Sequence, residues 1–230
     1  MPCSVAFPTT EDVQRVSHSA VFRESNQFWN IGHWNNSERL GHVAMLIKSA
    51  QNEWEASGGT GFMPLFVWID YYFARELPAE ALYEYSQEFK VAYPDDISSH
   101  DAWVGVYTRV LIQTYIGAKA EYEAVAFLST QFPEMTVSLT DDCLDRLFCV
   151  DIEVFDNGRR RYAFQLKPQS FLIGVRQKKD WAEQAMQYNR KGHEAYDKQY
   201  GIKPKFLFWT YQEGSYDFVS EKKALKTLAS

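Results

Sequence analysis

The chain has 230 residues, of which 46% are hydrophobic and 23% charged, so most of it has ample apolar surface to bury and disorder is excluded over most of its length. The formal net charge of −6 speaks against a nucleic-acid partner only as an average. Gly158 to Ser230 carries 15 Lys and Arg against 7 Asp and Glu, a net of +8, whereas Met1 to Asn157 carries 9 against 23, a net of −14.

Met1 to Gln14 has no basic start followed by an apolar run, so no secretory leader is expected. Phe28, Trp29, Trp34, Asn35 and Asn36 form a polar-aromatic stretch that suits either packing or base-edge contacts. Ser37 caps an expected helix from Glu38 to about Ala56, with Leu40, Val43, Ala44 and Ile47 on one face, and Gly58 to Gly61 stops it. Phe62 to Leu77 is too apolar for a surface helix; its longest apolar run is interrupted by Asp70 and too short to span a bilayer. Pro78 starts a helix over about Ala79–Ala92, and Ser98 or Ser99 caps the next, through Trp103, Val106, Val110, Leu111 and Tyr115. Gly117 is expected to break it before a new helix from about Ala118 to Thr130.

After Pro133 the period changes from helical to alternating. Met135–Thr140 and Leu147–Phe155 read as strands, and Asn157-Gly158 is a strong hairpin turn, with Arg161–Lys167 as the returning strand. A long helix is expected from about Lys178 to Tyr200, then a strand over Lys205–Tyr211 and a terminal helix over Ser220–Leu228. From Ala118 onward the order is therefore helix, three strands, helix, strand.

Side chains i and i+2 of a strand share a face, so Gln165 and Lys167 point the same way and Asp151 lies across the hairpin from them. A carboxylate and an amide oxygen suit a hard divalent cation such as Mg²⁺; water beside such a cation becomes a better nucleophile, and a lysine can position it and face a phosphate. The five histidines are dispersed without ligand spacing, and Cys3, Cys143 and Cys149 fit no metal or redox pattern, so zinc and disulfides are not expected and the compartment reads as reducing and cytoplasmic.

The Asp151…Gln165-x-Lys167 signature and the element order resemble the PD-(D/E)xK nuclease superfamily in its QxK variant, over roughly the C-terminal half. The resemblance implies an α+β, restriction-endonuclease-like αβββαβ core with a mixed sheet over 116–230, and a helical elaboration over 1–115 packed on it. It implies Asp151, Gln165, Lys167 and Glu121, on the first core helix, as catalytic residues. The Mg²⁺ ligands would be Asp151, Gln165 and Glu121. Glu123 competes with Glu121, and Asp145 and Glu153 remain alternatives beside Asp151. Gln184 and Tyr188 match a Gln-x-x-x-Tyr pattern seen in branches of the superfamily. With Arg159, Arg160, Arg161, Lys178 and Lys179 they are the expected DNA contacts, helix N-terminal amides adding to the last two. Departures are Val150 where a Pro often stands, Cys149 where a Gly often stands, and Gln165 in place of an acid. The implied protein is a Mg²⁺-dependent endonuclease of double-stranded DNA, of the Type II restriction class, working as a homodimer. A structure-specific or repair nuclease and an inactive DNA-binding module stay open.

Overall fold

The computed structural model describes residues 7–19, 21–22, 42–212 and 214–220. The chain divides into two compact units, Met1–Lys119 and Ala120–Ser230. The polar-aromatic stretch Phe28–Asn36, the Ser37 cap and all but the first residue of the Ser220–Leu228 helix lie outside the described residues.

The first unit is helical: α1 (Thr10–Ser17), α2 (Val43–Ala56), α3 (Leu65–Phe73), α4 (Glu76–Ala92), α5 (Ser99–Tyr107), a π-helical segment at Thr108–Ile112, and the start of α6 (Gln113–Gln131). Thr9 and Asp12 cap α1 reciprocally, and the Ser98 side chain accepts from the Asp101 N–H at 3.0 Å to start α5. Trp68, Tyr72, Leu82, Phe89 and Leu111 are fully buried between these helices; of the apolar run over Phe62–Leu77, Met63, Trp68 and Tyr72 are buried, while Phe66 is exposed. The Gln51 amide anchors the loop before α3, accepting from the Met63 N–H at 2.8 Å and donating to the Gly61 carbonyl at 3.1 Å. Two boundaries differ from the sequence reading. Helix α4 begins at Glu76 because a proline is tolerated in a first turn. Gly117 does not break α6, since a glycine costs a helix only about 1 kcal/mol and Ala120, Ala124 and Leu128 bury the turns that follow.

The second unit continues with β1 (Thr136–Leu139), α7 (Asp142–Phe148), β2 (Ile152–Asp156), β3 (Arg159–Pro168), α8 (Gln169–Arg176), α9 (Asp180–Tyr200), β4 (Lys205–Gln212) and β5 (Ser215–Ser220). The five strands form one mixed sheet in the order β1-β2-β3-β4-β5, antiparallel throughout except for the parallel pair β3/β4. Asn157 and Gly158 both take positive φ, 49° and 75°, as a two-residue hairpin turn with right-handed twist requires.

Alternation along the strands gives the sheet two buried faces. Ile152, Val154, Phe164, Leu166, Leu207 and Phe218 pack under Ala124 and Leu128 of α6. On the opposite face Phe206 and Phe208 meet Phe171 and Leu172 of α8 and Met186 of α9, while Ala163 meets Tyr196. Gln165 and Lys167 pair with Phe206 and Phe208, so they belong to this second face. The sequence reading extended a strand back to Leu147; the structure instead puts Leu147 and Phe148 in the short helix α7, capped by the Asp141 side chain. Helix α8 and strand β5 are further additions.

Helix α9 approaches the α7–β2 junction closely at Gly192. A Cβ there would meet the Phe148 carbonyl carbon and oxygen at 2.8 Å and Cys149 Sγ at 3.1 Å. Overpacking of this kind costs about 1–3 kcal/mol, more than the ~1 kcal/mol that alanine gains as a helix former. Gly192→Ala is therefore expected to lower the urea midpoint. A variant as stable as the wild type would show that α9 does not sit this close.

Candidate active site

Cys149 ends α7 in the left-handed region, at φ 54°, and turns the chain into β2 through Val150 and Asp151. Asp151 is then laced to both neighbouring strands. Its N–H donates to the Phe164 carbonyl at 2.9 Å, its carbonyl accepts from the Thr140 N–H at 3.0 Å, and its Oδ2 accepts from the Leu166 N–H at 2.6 Å. The last bond fixes the carboxylate against the β3 backbone between Gln165 and Lys167.

Burial pushes the Asp151 carboxyl up from its ordinary 3.8 to about 7. The Lys167 ammonium pulls it down, the Asp145 charge pushes it up, the Leu166 N–H pulls it down, and a side-chain hydrogen bond with Asp145 pushes it up. Asp145, exposed on α7, is thus a second acid beside Asp151 that opposes its ionisation.

Gln165 is buried at 2% exposure, and its Nε2 donates to Asn189 Oδ1 of α9 at 3.1 Å. Its Oε1 is buried and, among the described residues, has no hydrogen-bond partner. The Asp145 and Asp151 carboxylates and the unpartnered Gln165 amide oxygen are hard-oxygen donors of the kind a divalent cation takes. The residues thus fit Mg²⁺. Glu121, expected as a third ligand, is half-buried on α6, as is Glu123. Among the described residues no three His, Cys, Asp or Glu side chains stand close enough together to hold an ion, so neither closes a third corner on Asp145 and Asp151.

Glu153 shares the face of Asp151 but is committed elsewhere. Arg160 Nε donates to its Oε1 at 2.6 Å, and the Tyr196 hydroxyl donates to the same oxygen. Arg160 also lies over the Tyr200 ring, 4.3 Å from its centroid. The three arginines of the hairpin thus differ: Arg160 is structural, Arg161 pairs with Asp156 at 2.9 Å, and Arg159 is exposed at the turn. Lys178 and Lys179 are exposed at the N-terminal end of α9. Gln184 and Tyr188 are exposed on α9 as well, and the Tyr188 hydroxyl donates to the Arg146 carbonyl at 3.3 Å, next to Asp145.

Two other reactive side chains nearby are quiet. Burial pushes the Cys149 thiol up to about 11, so it is not a thiolate nucleophile at neutral pH. Burial likewise lowers the His193 pKa, and its Nε2 faces the Cys149 carbonyl at 3.2 Å.

Comparison with protein-family models, with curated proteins and with solved structures gave no match for this chain. Among the described residues no helix is long and apolar enough to cross a membrane.

Asn189 was not singled out from the sequence. Its signal is a polar residue inside the buried stripe Ala182, Met186, Asn189, His193 and Tyr196 of α9. The signal for α7 was Asp141 as a cap with Leu144 and Phe148 four residues apart.

The folded-state pKa of Asp151 lies above its unfolded value. The folded protein therefore loses stability as pH rises from about 4 through about 7, where the buried carboxylate must ionise. Asp151→Asn keeps an oxygen for the Leu166 N–H and removes the charge. The variant should melt higher than the wild type at pH 8, with the gap closing toward pH 4, in thermal melts without divalent cation. A gap that grows as pH falls would contradict the assigned direction.

Proposed function

We propose that the chain is a Mg²⁺-dependent endonuclease of the PD-(D/E)xK type acting on double-stranded DNA, most simply as a Type II restriction enzyme. The observation that carries this reading is the meeting of Asp151, Gln165 and Lys167 on one sheet face, with Asp145 beside them. The order α6, β1, β2, β3, α9, β4, with β3 and β4 parallel, agrees with a restriction-endonuclease-like core to which α7, α8 and β5 are additions.

In this reading Asp145, Asp151 and the Gln165 amide oxygen hold the cation, which when bound supplies charge stabilisation for the phosphodiester and activates water. Lys167 stands on the same face, where its ammonium orients the attacking water and faces a non-bridging phosphate oxygen. Asp151 keeps its position during turnover through the Leu166 N–H. The net +8 of Gly158–Ser230 draws the DNA backbone, with Arg159, Lys178 and Lys179 as exposed phosphate contacts, Tyr188 next to Asp145 through the Arg146 carbonyl, and Gln184 one turn before Tyr188 on α9. Two strands need two such sites, so the working form is a homodimer, in a reducing cytoplasm. Gln165 in place of an acid favours, as the second reading, a DNA-binding module without cleavage.

Asp151→Ala and Lys167→Ala are expected to abolish plasmid cleavage in Mg²⁺ while leaving the circular dichroism spectrum unchanged, and Asp145→Ala to reduce it by about 10²-fold or more, the scale of losing a charge-stabilising group at an active site. Cleavage by the Asp151→Ala or Lys167→Ala protein at the wild-type rate would sink the assignment. DNA bound by the wild type but left intact in Mg²⁺ would favour the second reading.

A further inference from the structure

The buried pair formed by Gln165 and Asn189 leaves a remainder that packing does not explain. Gln165 is 2% exposed and Asn189 5%, and they make one hydrogen bond, from Gln165 Nε2 to Asn189 Oδ1 at 3.1 Å. Gln165 Oε1 and Asn189 Nδ2 remain buried without a partner among the described residues. Buried polar atoms are almost always satisfied, and exceptions cluster where a ligand completes them. An apolar pair would fill the same space between β3 and α9 without leaving either atom over.

We propose that Asn189 is a positioning residue that holds the Gln165 amide with its nitrogen toward α9 and its carbonyl oxygen toward the divalent-cation site beside Asp151. This rests on the cation-dependent reading of that site. A carboxamide has two ends of similar size, and only the oxygen can ligate a hard cation. Rotated by half a turn, Gln165 would present an NH₂ group that repels it. A carboxylate at this position would have no such ambiguity. A chain with glutamine there needs an acceptor on the nitrogen side, and Asn189 Oδ1 stands in that place. The helix that carries it is seated by the close approach of Gly192, three residues on, to the Phe148 carbonyl. Partners that orient a ligating side chain in this way affect metal affinity strongly even though they never touch the ion.

The test uses Mn²⁺ as the probe, titrated into the full-length protein and followed by the loss of the free-ion electron paramagnetic resonance signal, alongside melting in EDTA. Asn189→Leu, which matches the volume but accepts no hydrogen bond, should weaken Mn²⁺ binding about tenfold. Asn189→Asp, which keeps an acceptor, should retain most of the affinity. In a Gln165→Leu background, Asn189→Leu should have no further effect, because the two act through one group. Wild-type affinity in Asn189→Leu, or losses that add in the double variant as general loosening of α9 would make them, would overturn the inference while leaving the nuclease reading standing. Absence of Mn²⁺ binding by the wild type would overturn both.

Discussion

The hydrogen bond from the Leu166 N–H to Asp151 Oδ2, at 2.6 Å, holds a carboxylate at the root of the β2–β3 hairpin, in a place where burial opposes its charge. The surrounding structure is the set of compensations this requires. Lys167 supplies the opposite charge from the same strand face, and the backbone N–H supplies a dipole that cannot move away. Asp145, delivered by the seven-residue helix α7, works in the other direction and raises the cost of ionising Asp151. A folded chain that keeps two acids together in this way bears a standing electrostatic cost, which the divalent cation of the proposed function would relieve. That links the stability of the hairpin root to the chemistry proposed for it.

Helix α9 is the second determinant. It covers the face of the sheet that carries Asp151, Gln165 and Lys167, and its depth is set by Gly192 against the Phe148 carbonyl. Along one stripe it delivers Asn189 to Gln165, His193 to the Cys149 carbonyl and Tyr196 to Glu153. The Glu153–Arg160–Tyr196 network, with Tyr200 stacked on the guanidinium, locks the distal end of the hairpin. It leaves the proximal end, where the acids and Lys167 stand, as the polar part of this face.

Much of this was legible in the residues. The Asn157-Gly158 turn, the alternation on either side of it and the helical period of α9 are local signals, and period 2 alone puts Gln165 and Lys167 on one face. What escaped depends on partners far along the chain. Glu153 looks like a candidate ligand until Tyr196, 43 residues on, claims its carboxylate. Asn189 reads as one polar residue in an apolar stripe until Gln165, 24 residues before it, is placed beside it. Helix α7 is too short for its period to be counted, so the sequence alone does not show that Asp145 is delivered beside Asp151. Gly117 was read as a breaker because propensity is local, whereas the burial that overrides it belongs to the next turns of α6.

In the proposed function the acids, the amide and the lysine gathered at this hairpin root cut DNA with the help of a divalent cation. Its most direct test is to digest a sequenced supercoiled plasmid with the purified wild-type protein, in Mg²⁺ and in EDTA, and to map the ends produced. Discrete ends at fixed sequences are expected in Mg²⁺, and an intact plasmid in EDTA. A plasmid left intact under Mg²⁺, or one cut equally well in EDTA, would contradict it.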